Sequence, residues 1–209
     1  LGYRKTLASG LGLDISGNLD FFRNKVTYLP ETSTGSYAHT TTQNLVESGK
    51  PYGSIVGYVV EGIFQNQAEV DASGQPNARV GGLKYADLDG KAGITADDQD
   101  WIYNPVPAFS YGINIALNYK GFDFSMTWSA AFKTSRLLSS MYRVPFGESN
   151  NSAVMKYMIE DAWTPEKGNS AKAPALSFKS KSHNYQDSDL WLRDASYVRL
   201  KNIELGYSF

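Results

Sequence analysis

Read by alternate residues, the stretch Tyr111–Phe132 separates into two faces. Tyr111, Ile113, Ile115, Leu117 and Tyr119 form one apolar set; after Lys120-Gly121 the phase flips to Phe122, Phe124, Met126, Trp128, Ala130 and Phe132. The complementary set is small and polar: Gly112, Asn114, Ala116, Asn118, then Asp123, Ser125, Thr127 and Ser129. A period of two is the signature of a strand. A two-residue Lys-Gly loop makes the pair a hairpin and sets Tyr119 opposite Phe122. Leu117 then faces Phe124, Ile115 faces Met126, Ile113 faces Trp128, Tyr111 faces Ala130 and Phe109 faces Phe132, all on one side. A slip of one residue would invert every side chain, so the pattern itself locks the register.

The rest of the chain is organised around this hairpin. Leu7, Leu11, Leu13, Ile15, Leu19 and Phe21 alternate with Ala8, Gly10, Gly12, Asp14, Ser16, Asn18 and Asp20, which predicts one long strand over residues 7–22. Ile203, Leu205, Tyr207 and Phe209 alternate with Glu204, Gly206 and Ser208 at the far end. Residues 29–50 are Thr/Ser/Gly-rich and read as loop. "PYGSIVGYVVEGIF" (51–64) predicts short strands, and the polar, Gly/Asp/Pro-punctuated stretch 65–106 reads as loop. "SNNSAVMKYMIEDAW" (149–163) predicts the one short helix, capped by Ser149, Asn150 or Ser152, with Val154, Tyr157, Met158 and Trp163 on one side. No repeat of fixed period is present.

Length decides what the apolar face can meet. Tyr111 to Tyr119 spans roughly 27 Å at about 3.3–3.4 Å per residue. Tilted by roughly 40°, it crosses about 20 Å, close to the apolar band of about 25 Å on a membrane barrel. Phe109, Tyr111 and Phe132 lie at one end and Tyr119 and Phe122 at the other, as aromatic girdles do around an aliphatic belt. A soluble β-sandwich, acting as a glycan-binding module or adhesin, also alternates and stays open as a reading at this point. An all-β transmembrane barrel needs at least eight strands to close, more than this chain supplies, so the chain would form only part of one.

Composition narrows the classes further. A net charge of −1 gives no reason to expect a nucleic-acid partner. No run approaches the roughly 18 apolar residues of a transmembrane helix, which leaves barrels open. There are no cysteines, so disulfides, thiol catalysis and Cys-based zinc sites are excluded. Fourteen Tyr, 10 Phe and 4 Trp in 209 residues suit amphipathic interfaces. The chain starts at Leu1 with no signal-peptide pattern, and is expected to be a piece of a longer protein.

Five ordered blocks carry a family resemblance: "GKPYGSIVGYVVEGIFQNQAEV" (49–70), "GGLKYADLDGKAGITADDQDWI" (81–102), "NPVPAFSYGINIALNYKGFDFSMTW" (104–128), "DAWTPEKGNSAKAPAL" (161–176) and "LWLRDASYVRLKNIELGYSF" (190–209). Together they resemble the C-terminal part of the SusC/RagA-type TonB-dependent transporters of Bacteroidetes outer membranes. The resemblance implies that residues 1–209 are an incomplete C-terminal segment of a large antiparallel barrel, whose plug and remaining strands lie elsewhere. It leaves two readings of Phe209, a truncation or a true terminus. It implies location in the outer membrane and no enzymatic activity, with uptake of oligosaccharides or oligopeptides. The implied partners are a SusD-like surface lipoprotein, TonB-ExbB-ExbD acting through the missing N-terminal part, and outer-membrane lipid. Lys120-Gly121 would be a periplasmic turn, and residues about 23–107 and 134–195 mostly extracellular loops.

Candidate chemistry is sparse. "DLDGKAGITADD" (87–98) resembles a worn calcium loop, with Asp87, Asp89 and Asp98 at the first, third and twelfth positions and Asp97 and Asp100 in reserve. Calcium is therefore the candidate cofactor. Against it, Lys91 and Ala92 stand where an oxygen ligand and a glycine belong; the competing reading is a hydrogen-bonded acidic turn with Lys91 as internal counter-charge. Glu160-Asp161 and Asp187/Asp189 are chance neighbours rather than a glycosidase pair. His39 and His183 fall in polar stretches and are expected in solvent. Tyr52, Tyr58, Phe64, Trp101 and Tyr103 are the candidate ligand contacts, through stacking on sugars or packing on peptides, with loop-core packing as the competing role. Trp163 is expected to be structural.

Overall fold

Two tight turns and two long excursions organise the chain. The computed structural model describes residues 1–28, 38–39, 45–46, 48–53, 55–91, 93–103, 105–147, 153–178 and 181–209. Strand β1 (Gly2–Thr6) enters a turn and returns as β2 (Gly12–Phe21). The Leu7 amide donates to the Leu11 carbonyl at 2.8 Å, and Gly10 takes the left-handed conformation at φ 83°. The single strand expected over residues 7–22 is therefore a turn followed by a strand. Leu7 and Leu11 keep the odd parity across the turn, so alternation alone does not show the break.

The first excursion holds β3 (Ala38–His39), β4 (Leu45–Val46), β5 (Ile55–Tyr58), β6 (Val60–Ile63), helix α1 (Gln67–Ser73), β7 (Leu83–Tyr85) and β8 (Gln99–Tyr103). The chain then re-enters the wall as the hairpin β9 (Phe109–Tyr119) and β10 (Phe122–Phe132). The second excursion holds β11 (Ser135–Leu137), α2 (Ser140–Arg143), α3 (Lys156–Asp161), α4 (Lys181–Asn184) and β12 (Leu192–Asp194), before β13 (Tyr197–Tyr207) returns to the wall.

The wall is one antiparallel sheet in the order β1-β2-β9-β10-β13. Its hairpin has the expected register throughout, from Tyr119 opposite Phe122 to Phe109 opposite Phe132. Lys120 at φ 49° and Gly121 at φ 84° are the two left-handed residues that a two-residue loop demands. Strand β13 adds a device that its sequence conceals. Thr127 pairs with Asn202 but Trp128 pairs with Leu200, which leaves Lys201 as an extra residue in a β-bulge. The bulge reverses parity, so Val198 and Leu200 join Ile203, Leu205 and Tyr207 on the apolar face.

That face stays bare: Leu19 is 70% exposed, Phe122 55% and Leu205 78%. No second sheet covers it among the described residues, which argues against the sandwich. The opposite face is polar and narrow. Arg4 pairs with Asp14, Asn202 Nδ2 donates to Glu204 at 2.6 Å, and Asn18 lies so close over Gly112 that a Cβ there would clash. Turns 7–10 and 120–121 sit at one end of the sheet, and both long excursions leave from the other. This is the division between short periplasmic turns and long outer loops in membrane barrels.

The expectation of one short helix needs correction, because four short α-helices occur among the described residues. The expected helix is shorter than 149–163. It is α3, which follows Met155 without a side-chain cap and buries Met158; Ser149, Asn150 and Ser152 lie outside the described residues. Helix α1 falls in a stretch read as loop. Its signal was present as Asn66-x-x-Glu69, where the Asn66 side chain accepts from the Glu69 amide at 3.0 Å and Gly74 closes the helix at φ 63°. With no apolar stripe along its seven residues, period gave no warning of it.

Candidate functional site

The two excursions pack on each other and build a core that the wall lacks. Leu83, Tyr85, Val144, Tyr185 and Trp191 are buried together, flanked by Tyr58, Val60, Ile63, Ile94, Leu137, Leu138 and Leu190. Strand β7 sits at the centre, and its backbone finds partners far along the chain. Asn184 Oδ1 accepts from the Leu83 amide at 3.0 Å, and the buried Gln75 amide meets both the N–H and C=O of Tyr85 at 3.2 and 2.7 Å. His183, expected in solvent, is 7% exposed: its Nε2 lies 2.7 Å from the Leu83 carbonyl, and the His183 carbonyl accepts from the Tyr85 hydroxyl at 2.6 Å. Burial raises the pKa of Tyr85 well above the usual phenol range.

The acidic pairs are structural too. Asp187 makes a buried ion pair with Arg143, and Asp189 Oδ1 accepts from the Val60 amide at 3.0 Å. The ion pair closes the second excursion on itself, and the Asp189 hydrogen bond ties it to the first. Trp163 behaves as expected: its Nε1 donates to Gln65 Oε1 at 3.0 Å and its ring lies flush on Gly81, which is held at φ 76°.

Of the five candidate ligand aromatics, Tyr52, Tyr58, Phe64 and Trp101 differ widely in exposure. Phe64 is fully buried and offers a ligand no surface in this structure, so it packs the loop core. Tyr58 is half-buried, with its ring 5.0 Å from that of Tyr85. Trp101 is half-buried on β8 with the Lys50 ammonium 5.5 Å from its ring centre, and Tyr103 stands on the same strand opposite Ile55. Tyr52 is exposed, and its amide donates to Asn24 Oδ1 at 2.6 Å, which holds it at the rim of the wall. Sequence reasoning missed a cavity of about 440 Å³ between β6 and residues 168–172, lined by Glu61, Gln65, Asn169, Lys172, Asp189 and Leu190. These side chains come from three distant stretches, so no local pattern announces them.

Asp87, Asp89 and Asp98 do converge, with carboxylate oxygens all within 4.8 Å of one another. Their lone pairs, however, are largely engaged by the loop itself. Asp98 is fully buried and accepts from the amides of Leu88 at 2.9 Å, Asp89 at 3.4 Å and Thr95 at 2.7 Å. Burial alone would raise its pKa, but those hydrogen bonds outweigh it and hold the carboxyl below the ordinary range. Asp87 Oδ1 accepts from the Gly90 amide at 2.7 Å. The Lys91 ammonium sits 2.7 Å from Asp89 and 3.9 Å from Asp97, and hydrogen bonds from Lys91 lower the Asp89 pKa. Calcium takes 6–8 oxygens; here Asp89 is paired with the Lys91 ammonium while Asp87 and Asp98 accept from backbone amides of the loop.

No family model matches the chain. It is 32% identical over 196 residues to TonB-dependent receptor P3 of Formosa agariphila, covering 89% of this chain and 18% of that protein. It is 26% identical over 199 residues to TonB-dependent receptor SusC of Bacteroides thetaiotaomicron, again covering 18% of the relative. The fold matches the structure of the RagAB peptide transporter at a TM-score of 0.70 with 19% identity, over 99% of this chain and 22% of that one. The chain thus spans about a fifth of the length of the proteins it matches. With all long loops at one end of the sheet and a 32% identical relative over most of this chain, the chain is a segment of a TonB-dependent receptor, an outer-membrane β-barrel protein.

Proposed function

We propose that this segment supplies part of the barrel wall and the outer loops of a transporter that takes up oligosaccharides or oligopeptides across the outer membrane. The observation that carries this reading is the self-packed loop assembly standing at one end of a sheet whose apolar face is bare. Such a body is rigid enough to bind and to dock, and it stands where solutes arrive. The polar cavity beside Glu61, Asn169 and Lys172, together with Tyr52 and Trp101, offers hydrogen-bonding and stacking groups suited to either substrate class. A SusD-like lipoprotein docks on the loops as a lid, and TonB-ExbB-ExbD supplies the energy through a plug carried outside these residues. The segment belongs to the C-terminal part of the barrel.

The test uses the full-length protein. It should require detergent, run as a heat-modifiable band and co-purify with a SusD-like lipoprotein. Cells lacking it should lose growth on one oligosaccharide or oligopeptide source. A folded monomer in the aqueous phase would overturn the reading.

A further inference from the structure

Where the wall meets the loops, the chain gathers cations on the lipid-facing aromatics. Phe21 and Phe109 close the apolar face at its outer end, with ring centroids 4.9 Å apart. The Arg23 guanidinium lies 5.3 Å from the centre of the Phe21 ring, and the Lys133 ammonium lies 5.3 Å from that of Phe109. Lys133 reaches its position from a left-handed backbone at φ 53°, uncommon for a residue with a side chain. Arg23, Lys25 and Lys133 line one cavity of about 520 Å³ together with Phe22, Pro51 and Val106, and none of the described residues that line it is acidic. Among the described residues none of these three cations pairs with a carboxylate. The rim is also braced: the Val26 amide donates to the Lys50 carbonyl at 2.9 Å, and the Gly49 amide to that of Val26 at 2.7 Å.

Three like charges around one cavity repel unless an anion joins them. The aromatics below place the cavity at headgroup depth, where long cationic side chains lay their stems on apolar surface and hold their heads in the polar layer. We propose that this cleft binds the phosphate of an outer-leaflet lipid headgroup, with Arg23, Lys25 and Lys133 as its cationic ligands. The bound lipid would anchor the loop base against the leaflet. The proposal rests on the outward orientation of the loops argued above.

The experiment is native mass spectrometry of the full-length barrel in detergent, loaded with dioleoyl phosphatidic acid or, as the neutral probe, dioleoylglycerol. Wild type should retain phosphatidic acid in clear preference. Each of Arg23→Gln, Lys25→Gln and Lys133→Gln should weaken retention roughly fivefold, the value of about one cation near an anionic lipid surface. The charge-preserving set Arg23→Lys, Lys25→Arg, Lys133→Arg should keep it. The heat-modifiable band is read in parallel. Failure of wild type to show that band would refute the barrel and this site with it. A barrel that assembles but holds both lipids equally, or whose neutralised variants retain phosphatidic acid unchanged, overturns this site alone. So does complete displacement by equimolar inorganic phosphate, which would make it a site for free anions.

Discussion

The wall and the loop assembly solve the problem of apolar surface in opposite ways. The wall exposes Leu19, Ile203 and Leu205 and buries almost nothing of its own, because its solvent on that side is hydrocarbon. The loops bury Phe64, Leu83 and Trp191 and pair the backbone of β7 with Gln75 and Asn184, because their solvent is water. A patch that would be an aggregation hazard on a soluble protein is a membrane surface here. The loops, by contrast, are folded by the same rules as a small soluble domain.

Four experiments on the full-length protein sharpen that contrast. The largest effect is expected from Trp191→Ala, which empties the centre of the loop core and should cost about 3–5 kcal/mol there. Loops on intact cells should become protease-sensitive while the heat-modifiable band persists; loss of the band would show that the two regions do not fold independently. Next is the wall. Ile115→Lys places a charge at mid-belt on the lipid face and should cost about 2–4 kcal/mol, read as lost assembled barrel. Asn114→Lys, one residue away on the polar face, should assemble normally. Equal damage from both would remove the distinction between the faces.

Third, Asp98→Ala strips the acceptor from the Leu88 and Thr95 amides and should lower loop stability by about 2 kcal/mol. The Asp98 pKa is depressed on folding, so its contribution is present in full above the ordinary value of 3.8 and is lost as pH falls below that value through the folded one. Acid titration of loop proteolysis should therefore show a step in wild type that Asp98→Ala lacks. The smallest effect concerns Lys91. Chelation of calcium should leave the loop melting transition of wild type unmoved, because Lys91 neutralises Asp89 and loop amides already engage Asp87 and Asp98; a clear fall on adding EGTA would return the Asp87–Asp98 loop to the calcium-binding class.

Legibility followed the range of the interactions. The β9–β10 register could be written from residues 109–132 alone, because pleat parity and a two-residue loop leave one pairing that keeps the faces apart. The same parity misled at residues 7–11, where a turn preserved it, and hid the bulge at Lys201, where parity reverses while the face does not. The site was less accessible. Asp87, Asp89 and Asp98 lie within one short loop and their convergence was readable, as was the counter-charge of Lys91. His183 was misjudged because its polar neighbours say nothing of Leu83, about a hundred residues away, whose carbonyl it meets. For Phe64 the sequence left ligand contact and loop-core packing both open, and its full burial in this structure favours the second.

By itself, then, the sequence determined the wall: its alternation, its belt length and its tight hairpin turn are local, and lipid imposes one simple rule on each face. Only the tertiary structure decided the loops. Which of Tyr58, Phe64 and Trp101 goes inside, which amide finds Gln75 or Asn184, and which cations meet at the rim all depend on contacts between stretches far apart in the chain. Those contacts form to satisfy buried backbone groups and apolar surface together, and no period along the chain encodes them.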